Sequence, residues 1–296
     1  MPTAATWLTP AFISRLEALE LSVRWVRAGH SLGGRFPVNR RGFSVEFSDY
    51  AAYTPGDDIR AIDWNLYARL DRLYVKTYKE EIALSVEVLV DATASMGLPS
   101  PDKFTRAKQL AVSLAYIALA DGHRARLTWI RPGRLADGGW FRHRKDLFRM
   151  AGQADAEPLA GQVPLDEWMR RCALARRMRG GQALLLTDGM IRPAEFFQAL
   201  HVLKTRNLEV KVIQILTPQE LHPASLGRGG VLLDVETGLT HELGYSPEEL
   251  ERAMARHNEL LARFCKRHGI PFAQHRIDEP LDAFITKTLP VRGFLE

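Results

Sequence analysis

Residues 85–97 read Ser-Val-Glu-Val-Leu-Val-Asp-Ala-Thr-Ala-Ser-Met-Gly, and this stretch decides the fold. Its first half is apolar and rich in β-branched residues, which predicts a buried strand of a parallel sheet. The run stops at Asp91, and Thr93 and Ser95 follow at every second position before Gly97, which permits a sharp turn into a helix. Ligands of open α/β sheets bind beyond the carboxyl ends of the strands. These side chains are therefore candidates for a binding site.

The chemistry of this loop suits a hard metal ion. Asp91, Thr93 and Ser95 offer a carboxylate and two hydroxyls, which are oxygen donors of the kind that Mg²⁺ prefers. The apolar run 182–187 ends in the same way, at Asp188. Two strand-end carboxylates strengthen the metal hypothesis if their strands are neighbours. The alternative interpretation is a polar loop that caps the next helix, since short motifs often match by chance.

From residue 82 onward, strand-like and helix-like segments alternate, which predicts an α/β fold. We expect a mostly parallel sheet with helices on both faces, formed by residues 81–296. Leu16 and Leu19 lie at helical spacing within a predicted helix over residues 12–27. Alternating residues around 43–48 and 73–78 predict strands, so residues 1–80 should form the helix, a basic loop and a small β-rich subdomain.

The basic loop runs from Arg24 to Arg41 and contains no Asp or Glu. It is either a solvated loop or a contact for an anion or acidic partner, and the sequence leaves both open. The turn that follows the first predicted strand carries Asp57, Asp58 and Asp63, with arginines close by in the sequence. We interpret these aspartates as turn caps and arginine partners rather than as catalytic acids.

Composition and charge indicate where the protein is located and whether it binds nucleic acid. The chain has 296 residues, 46% of them hydrophobic, and a net charge of +5. Its two cysteines are far apart, and no signal peptide is evident in residues 1–10. No apolar run is long enough to cross a membrane. We therefore expect a cytoplasmic protein. The mild positive charge does not demand a nucleic-acid partner, and the basic loop carries few interleaved aromatic residues, which argues against one.

The residues also carry a family resemblance. The pattern of Asp91, Thr93, Ser95 and the later Asp188 resembles the metal-ion-dependent adhesion site of von Willebrand factor type A domains. More specifically, the run Tyr-Thr-Pro-Gly-Asp-Asp-Ile-Arg-Ala-Ile-Asp-Trp at residues 53–64 is similar to the signature of the domain of unknown function 58 family. The hairpin sequence around Asp234 to Gly238 resembles that family too, and the likeness covers roughly residues 15–290.

The resemblance implies a von Willebrand factor A-like, Rossmann-like fold in a bacterial cytoplasmic protein. It also implies a non-enzymatic interaction module, an adaptor or chaperone-like partner of a MoxR-type AAA+ ATPase. In the metal site of the wider class, Asp91, Thr93, Ser95 and Asp188 would surround a Mg²⁺ ion that bridges to a carboxylate of the partner.

One departure from the pattern concerns the middle metal loop, which usually supplies a threonine hydroxyl. Here residues 161–165 read Gly-Gln-Val-Pro-Leu, and no Ser or Thr occurs between Trp129 and Leu186. Gln162 could offer only a carbonyl oxygen. Because the number of ligands sets the affinity for hard cations, we expect Mg²⁺ to bind weakly or not at all.

The alternative function is a metal-assisted hydrolase that uses Asp91 and Asp188 with a bound ion. The sequence supplies ligands for this chemistry but no obvious general base or nucleophile. It contains no Gly-x-Ser-x-Gly, His-Glu-x-x-His or Cys-x-x-Cys motif. Nucleic-acid binding through the loop from Arg24 to Arg41 is the third hypothesis.

Overall fold

The computed structural model describes residues 6–22, 45–56, 59–80, 84–132, 139–159, 161, 164–165, 167–170, 181–222, 231–233, 240–242 and 246–296. The basic loop from Arg24 to Arg41, together with Asp57, Asp58, Gln162 and the turn of the predicted hairpin at 234–239, lies outside these residues. The chain folds as two compact units, residues 1–29 with 84–296 and residues 30–83.

The regular elements alternate along the larger unit as the sequence predicts. In the described residues, the strands are β1 (Val45–Ala52), β2 (Tyr74–Glu80), β3 (Ser85–Asp91), β4 (Arg124–Ile130), β5 (Gln182–Thr187), β6 (Glu209–Leu216), β7 (Val231–Leu233), β8 (Thr240–Glu242) and β9 (Phe272–Arg276). The helices are α1 (Pro10–Glu17), α2 (Trp64–Leu70), α3 (Asp102–Ala120), α4 (Leu147–Ala156), α5 (Pro193–Lys204), α6 (Pro218–Leu221), α7 (Pro247–Arg267), α8 (Leu281–Ala283) and α9 (Leu289–Val291). A π-helical turn, Phe284–Thr288, joins α8 to α9.

The sheet of the larger unit has five strands in the order β4-β3-β5-β6-β9. All four pairings are parallel. Val90 of β3 lies beside Leu186 of β5, so the carboxyl ends of these two strands meet at one edge of the sheet. The predicted α/β fold with a mostly parallel sheet is confirmed, and the two strands that end in carboxylates are direct neighbours.

Both faces of the sheet are covered, which explains why its central strands β3 and β5 are mostly apolar and buried. Val88 and Val90 belong to a buried cluster that includes the apolar side chains of α3, α4 and α1. Leu89 and Leu185 point the other way, into a cluster that includes α5 and residues of α7. Alternate residues of one strand therefore anchor helices on opposite faces.

The first helix is shorter than predicted. It begins after the Thr9 cap and ends at Glu17, whereas the apolar spacing predicted a helix over 12–27. Leu21 instead forms an isolated bridge with Leu295, near the end of the chain. The helix also packs on α3 in the larger unit, while the sequence-based division placed it with residues 1–80.

The smaller unit is built on an antiparallel pair, β1 with β2. Asp63 caps α2 between these strands, since its Oδ1 accepts the backbone N–H groups of Asn65 and Leu66 at 2.9 and 3.1 Å. Its Oδ2 accepts the Tyr50 hydroxyl at 3.0 Å. The interpretation of Asp63 as a cap is confirmed, and the helix that it begins was not predicted.

The predicted hairpin after β6 is present in the described residues as the antiparallel pair β7 and β8. Among the helices of the described residues, none combines the length and the apolar character that a membrane span requires.

Candidate functional site

Asp91 is the last residue of β3, and the loop after it folds back onto its carboxylate. Asp91 Oδ1 accepts the Thr93 backbone N–H at 3.0 Å and the Thr93 hydroxyl at 2.7 Å. The Thr93 and Ser95 hydroxyl oxygens lie 3.1 Å apart. The Asp91 and Thr93 side chains are buried, and Ser95 is partly exposed. The loop therefore presents a hydroxyl surface over a buried carboxylate.

The end of β5 completes the cluster from the neighbouring strand. Thr187, which is fully buried, donates its hydroxyl to Asp91 Oδ2 at 2.7 Å and accepts the Gly189 N–H at 3.0 Å. Asp188 Oδ1 accepts the Met190 N–H at 2.9 Å. The structure thus brings together the four predicted site residues Asp91, Thr93, Ser95 and Asp188 at the predicted edge of the sheet.

A lysine that sequence reasoning missed lies behind Asp188. Lys103, in the first turn of α3, is 0% exposed. Its Nζ donates to Asp188 Oδ2 at 2.9 Å and to Glu220 Oε1 at 2.6 Å. The other oxygen of Glu220 accepts the backbone N–H and the hydroxyl of Thr217, at 2.7 and 2.9 Å, as part of the cap of α6. One ammonium group therefore joins three separate segments of the chain.

Burial and neighbouring charges shift the pKa values of Asp91 and Lys103. Burial, and then the nearby Asp188 carboxylate, raise the pKa of Asp91 to about 6, while the hydrogen bonds from Thr93 and Thr187 act in the opposite direction. Burial alone would lower the pKa of the Lys103 ammonium, but the carboxylates of Asp188 and Glu220 outweigh burial and raise it. Lys103 is therefore charged and neutralises one of the acids beside it.

A second layer of hydrogen bonds holds the β5 loop from the side of β6 and α7. Gln214 Nε2 donates to the Asp188 carbonyl at 2.9 Å and to Asn258 Oδ1 at 2.8 Å. His257 Nε2 lies 2.7 Å from the carbonyl oxygen of Gly189. Gly189 itself has a φ of +71°, and a Cβ there would lie 2.9 Å from Leu261 Cδ1, so a side chain at this position would be strained.

Apolar side chains border the hydroxyl surface. Leu98, directly after the loop, is 41% exposed, and Leu159 is 38% exposed. Leu159 packs so closely over Gly97 that a Cβ at this glycine would lie 2.5 Å from its Cδ1. The site therefore combines two exposed leucines with the hydroxyls of Thr93 and Ser95.

The donor set does not fit a resident divalent ion. Both oxygens of Asp91 accept hydrogen bonds from threonines, and those of Asp188 accept from a backbone N–H and from Lys103. The Lys103 ammonium on Asp188 would repel a second cation at this carboxylate, so the site is a poor fit for a divalent ion. In the part of the chain that the structure describes, no three His, Cys, Asp or Glu side chains form a metal-binding group.

The comparisons with known proteins agree with the resemblance seen in the sequence. Residues 49–260 match the model of the family described as "Protein of unknown function DUF58". The chain belongs to this family. Uncharacterized proteins of Mycobacterium tuberculosis and Mycobacterium bovis are 26% identical to it over 96% of this chain and 90% of their own length.

Solved structures similar to this member of the DUF58 family include two with informative descriptions. One is a von Willebrand factor type A protein from Catenulispora acidiphila, with 17% identity and a TM-score of 0.41 over 74% of this chain and 43% of that one. The other is the conserved hypothetical protein BatB from Bacteroides thetaiotaomicron, with 15% identity and a TM-score of 0.39 over 71% of this chain and 98% of that one.

Two signals in this family member could have revealed the missed residues. Lys103 falls in phase with Ala107 and Leu110 on the buried face of α3, and a lysine in phase with an apolar stripe needs a buried partner. Thr217 and Glu220 have the spacing of a capping box, with Pro218 at the first helical position. Neither signal identifies Asp188 as the partner of Lys103.

Proposed function

We propose that this DUF58 protein is a non-enzymatic protein-interaction module, and that its partner is a MoxR-type AAA+ ATPase. The partner-binding surface is the strand-end edge formed by Ser95, Leu98 and Leu159, above the buried Thr93 side chain. The observation that carries the proposal is the combination of a fixed hydroxyl loop with two exposed leucines at the ligand-binding edge of an α/β sheet. An apolar anchor beside fixed polar groups is the usual composition of an interface centre.

The hydrolase alternative finds less support in the geometry. Metal-assisted hydrolysis requires carboxylates that bind an ion and leave it an open position for water or substrate. At this site the oxygens of Asp91 and Asp188 already accept hydrogen bonds from within the chain. A binding surface requires no such open positions.

The test is a binding measurement between the purified full chain and the purified MoxR-type ATPase of the same cell. Leu98→Asp places a charge on the proposed surface and should weaken binding at least tenfold. Val291→Asp is the matched control, because Val291 is 86% exposed and lies away from the carboxyl ends of the strands. It belongs to the segment whose Phe294 carbonyl accepts from Lys211, and Lys211 is in the amino-terminal half of β6. Binding of this control should equal that of the wild type.

Other outcomes would contradict separate parts of the proposal. An ATPase that does not bind the wild type is not the partner. Equal binding by wild type and Leu98→Asp would mean that the surface lies elsewhere, for example on the loop from Arg24 to Arg41. The salt dependence separates these surfaces, since contacts through that arginine-rich loop should weaken steeply with salt, whereas an apolar and hydroxyl surface should respond little.

A further inference from the structure

The buried ammonium of Lys103 is the most unusual feature of the strand-end edge. A lysine is almost never fully buried unless it is paired, because removing its charge from water is costly. Here the charge is paired twice, with Asp188 at 2.9 Å and with Glu220 at 2.6 Å. The α/β unit therefore accommodates a charged cluster at the edge where the resemblance implies a metal site.

We propose that Lys103 takes the place of the divalent cation, so that the strand-end site is assembled and works without metal. The ammonium supplies the positive charge that holds the β5 loop, through Asp188, against the start of α3. A metal ion would have to displace Lys103 from a fully buried position, or share Asp188 with it. Displacement would leave the ammonium unpaired in the interior, which is costly, and sharing would place two mutually repelling cations on one carboxylate.

Hydrogen bonds from within the chain also hold the strand-end loops together, which a bound ion would otherwise do. The Thr93 and Thr187 hydroxyls fix both oxygens of Asp91, at 2.7 Å each, and so tie the loops after β3 and β5 together. The Met190 N–H occupies the second oxygen of Asp188. Each loop is thus held in position by donors of its own chain, and no coordination bond is needed. This inference rests on the cluster alone and does not depend on which partner binds.

Removal of the ammonium should convert the site into one that responds to metal. In Lys103→Met, Asp188 and Glu220 lose their counter-ion, and the melting temperature should fall by roughly 10 °C. Addition of Mg²⁺ or Mn²⁺ at about 1 mM, after treatment with a chelator, should then raise the melting temperature by several degrees. The wild type should shift by less than about 1 °C under the same conditions.

Lys108→Met is the matched control, because it removes one lysine from the same helix without changing the cluster. In the described residues, Lys108 Nζ donates to the backbone carbonyls of Asp155 and Glu157, at 3.1 and 2.6 Å, and lies 4.5 Å from the centroid of the Phe104 ring. This variant should not respond to either metal. A response of Lys108→Met equal to that of Lys103→Met would show non-specific screening of charge and would overturn the proposal.

Direct metal binding to the wild-type chain tests the same idea without relying on a variant that must fold. Equilibrium dialysis against Mn²⁺ should find no ion that depends on the loop hydroxyls. One Mn²⁺ per chain in the wild type, lost in Ser95→Ala, would overturn the proposal. A wild-type melting temperature that rises with Mg²⁺ as much as that of Lys103→Met would overturn it as well. Neither result depends on the MoxR-type partner, so failure here is distinct from failure of the proposed function.

Discussion

His275 gives a quantitative prediction about how stability depends on pH. It lies on β9 and is fully buried, with its ring centroid 4.3 Å from that of Phe284. Neither ring nitrogen has a hydrogen-bond partner in the described residues, and the nearest carboxylate oxygen, on Glu279, is 3.6 Å from Nδ1. Burial lowers the pKa of His275 to about 3, with the charge of Arg106 acting in the same direction and Asp278 opposing it.

The sign of the effect follows from this depressed pKa. In the unfolded chain the histidine titrates near 6.5, so between pH 6.5 and 3 the unfolded state binds a proton that the folded state does not. Stability is therefore lost as the pH falls through this window. At about 1.36 kcal/mol per pKa unit, His275 should account for a loss of about 2 kcal/mol between pH 7 and pH 5.

The perturbation is His275→Leu, which keeps the volume of the side chain and removes the titration. The free energy of unfolding, measured by urea denaturation at pH 7, 6 and 5, should fall less for this variant than for the wild type, by about 2 kcal/mol over the range. Groups that titrate in both proteins cancel in the difference. His201→Leu, at an exposed position on α5, is the control and should follow the wild type. A constant difference between His275→Leu and the wild type at all three pH values would refute the reasoning.

Backbone geometry, a helix cap and a buried hydroxyl give the remaining predictions, each measured as the free energy of unfolding in urea. Gly181→Ala should lower the free energy of unfolding by more than about 3 kcal/mol, because φ is +105° and the new Cβ would overlap a carbonyl oxygen of β3. Gly122→Ala, where φ is +75° and the space around the new Cβ is open, should lower it by about 1 kcal/mol. Equal costs would contradict this account. Asp63→Ala should cost about 1–2 kcal/mol and speed amide exchange in α2, and unchanged exchange would argue against the cap. Thr187→Val should cost about 2 kcal/mol, while Thr205→Val, at an exposed hydroxyl, should change stability by less than about 0.5 kcal/mol.

The sequence pattern was sufficient to predict the strands that position the site. Strands buried on both faces must be apolar at nearly every residue, and residues 86–90 and 183–186 have this pattern and are fully buried. Each run stops at a polar residue where the chain leaves the sheet, so Asp91 and Asp188 could be recognised as strand ends. Their adjacency could not, because the order of strands in a sheet depends on crossovers that local patterns do not encode.

The contacts that distinguish this site are long-range, and that is why the sequence did not reveal them. Lys103 is separated by 85 residues from Asp188 and by 117 residues from Glu220. The predicted length of α1 was wrong because a long-range contact was again missed. Apolar spacing favoured a helix to residue 27, but the described chain leaves the helix at Glu17 because Leu21 pairs with Leu295 at the other end of the chain. In α1, tertiary pairing overrode the local helix preference.

The way in which the charges are buried bears on the energetics of a partner. The desolvation of Lys103, Asp188 and Asp91 is completed when the chain folds, since all three side chains are buried in the free protein. A partner at the strand-end edge would desolvate mainly the Ser95 hydroxyl and the exposed parts of Leu98 and Leu159. Burial of two leucines is favourable, and desolvation of a single hydroxyl costs little free energy if the partner offers it a hydrogen bond. On the proposed surface, affinity would therefore depend on the apolar fit around a fixed loop, with the buried ions acting only to keep that loop in place.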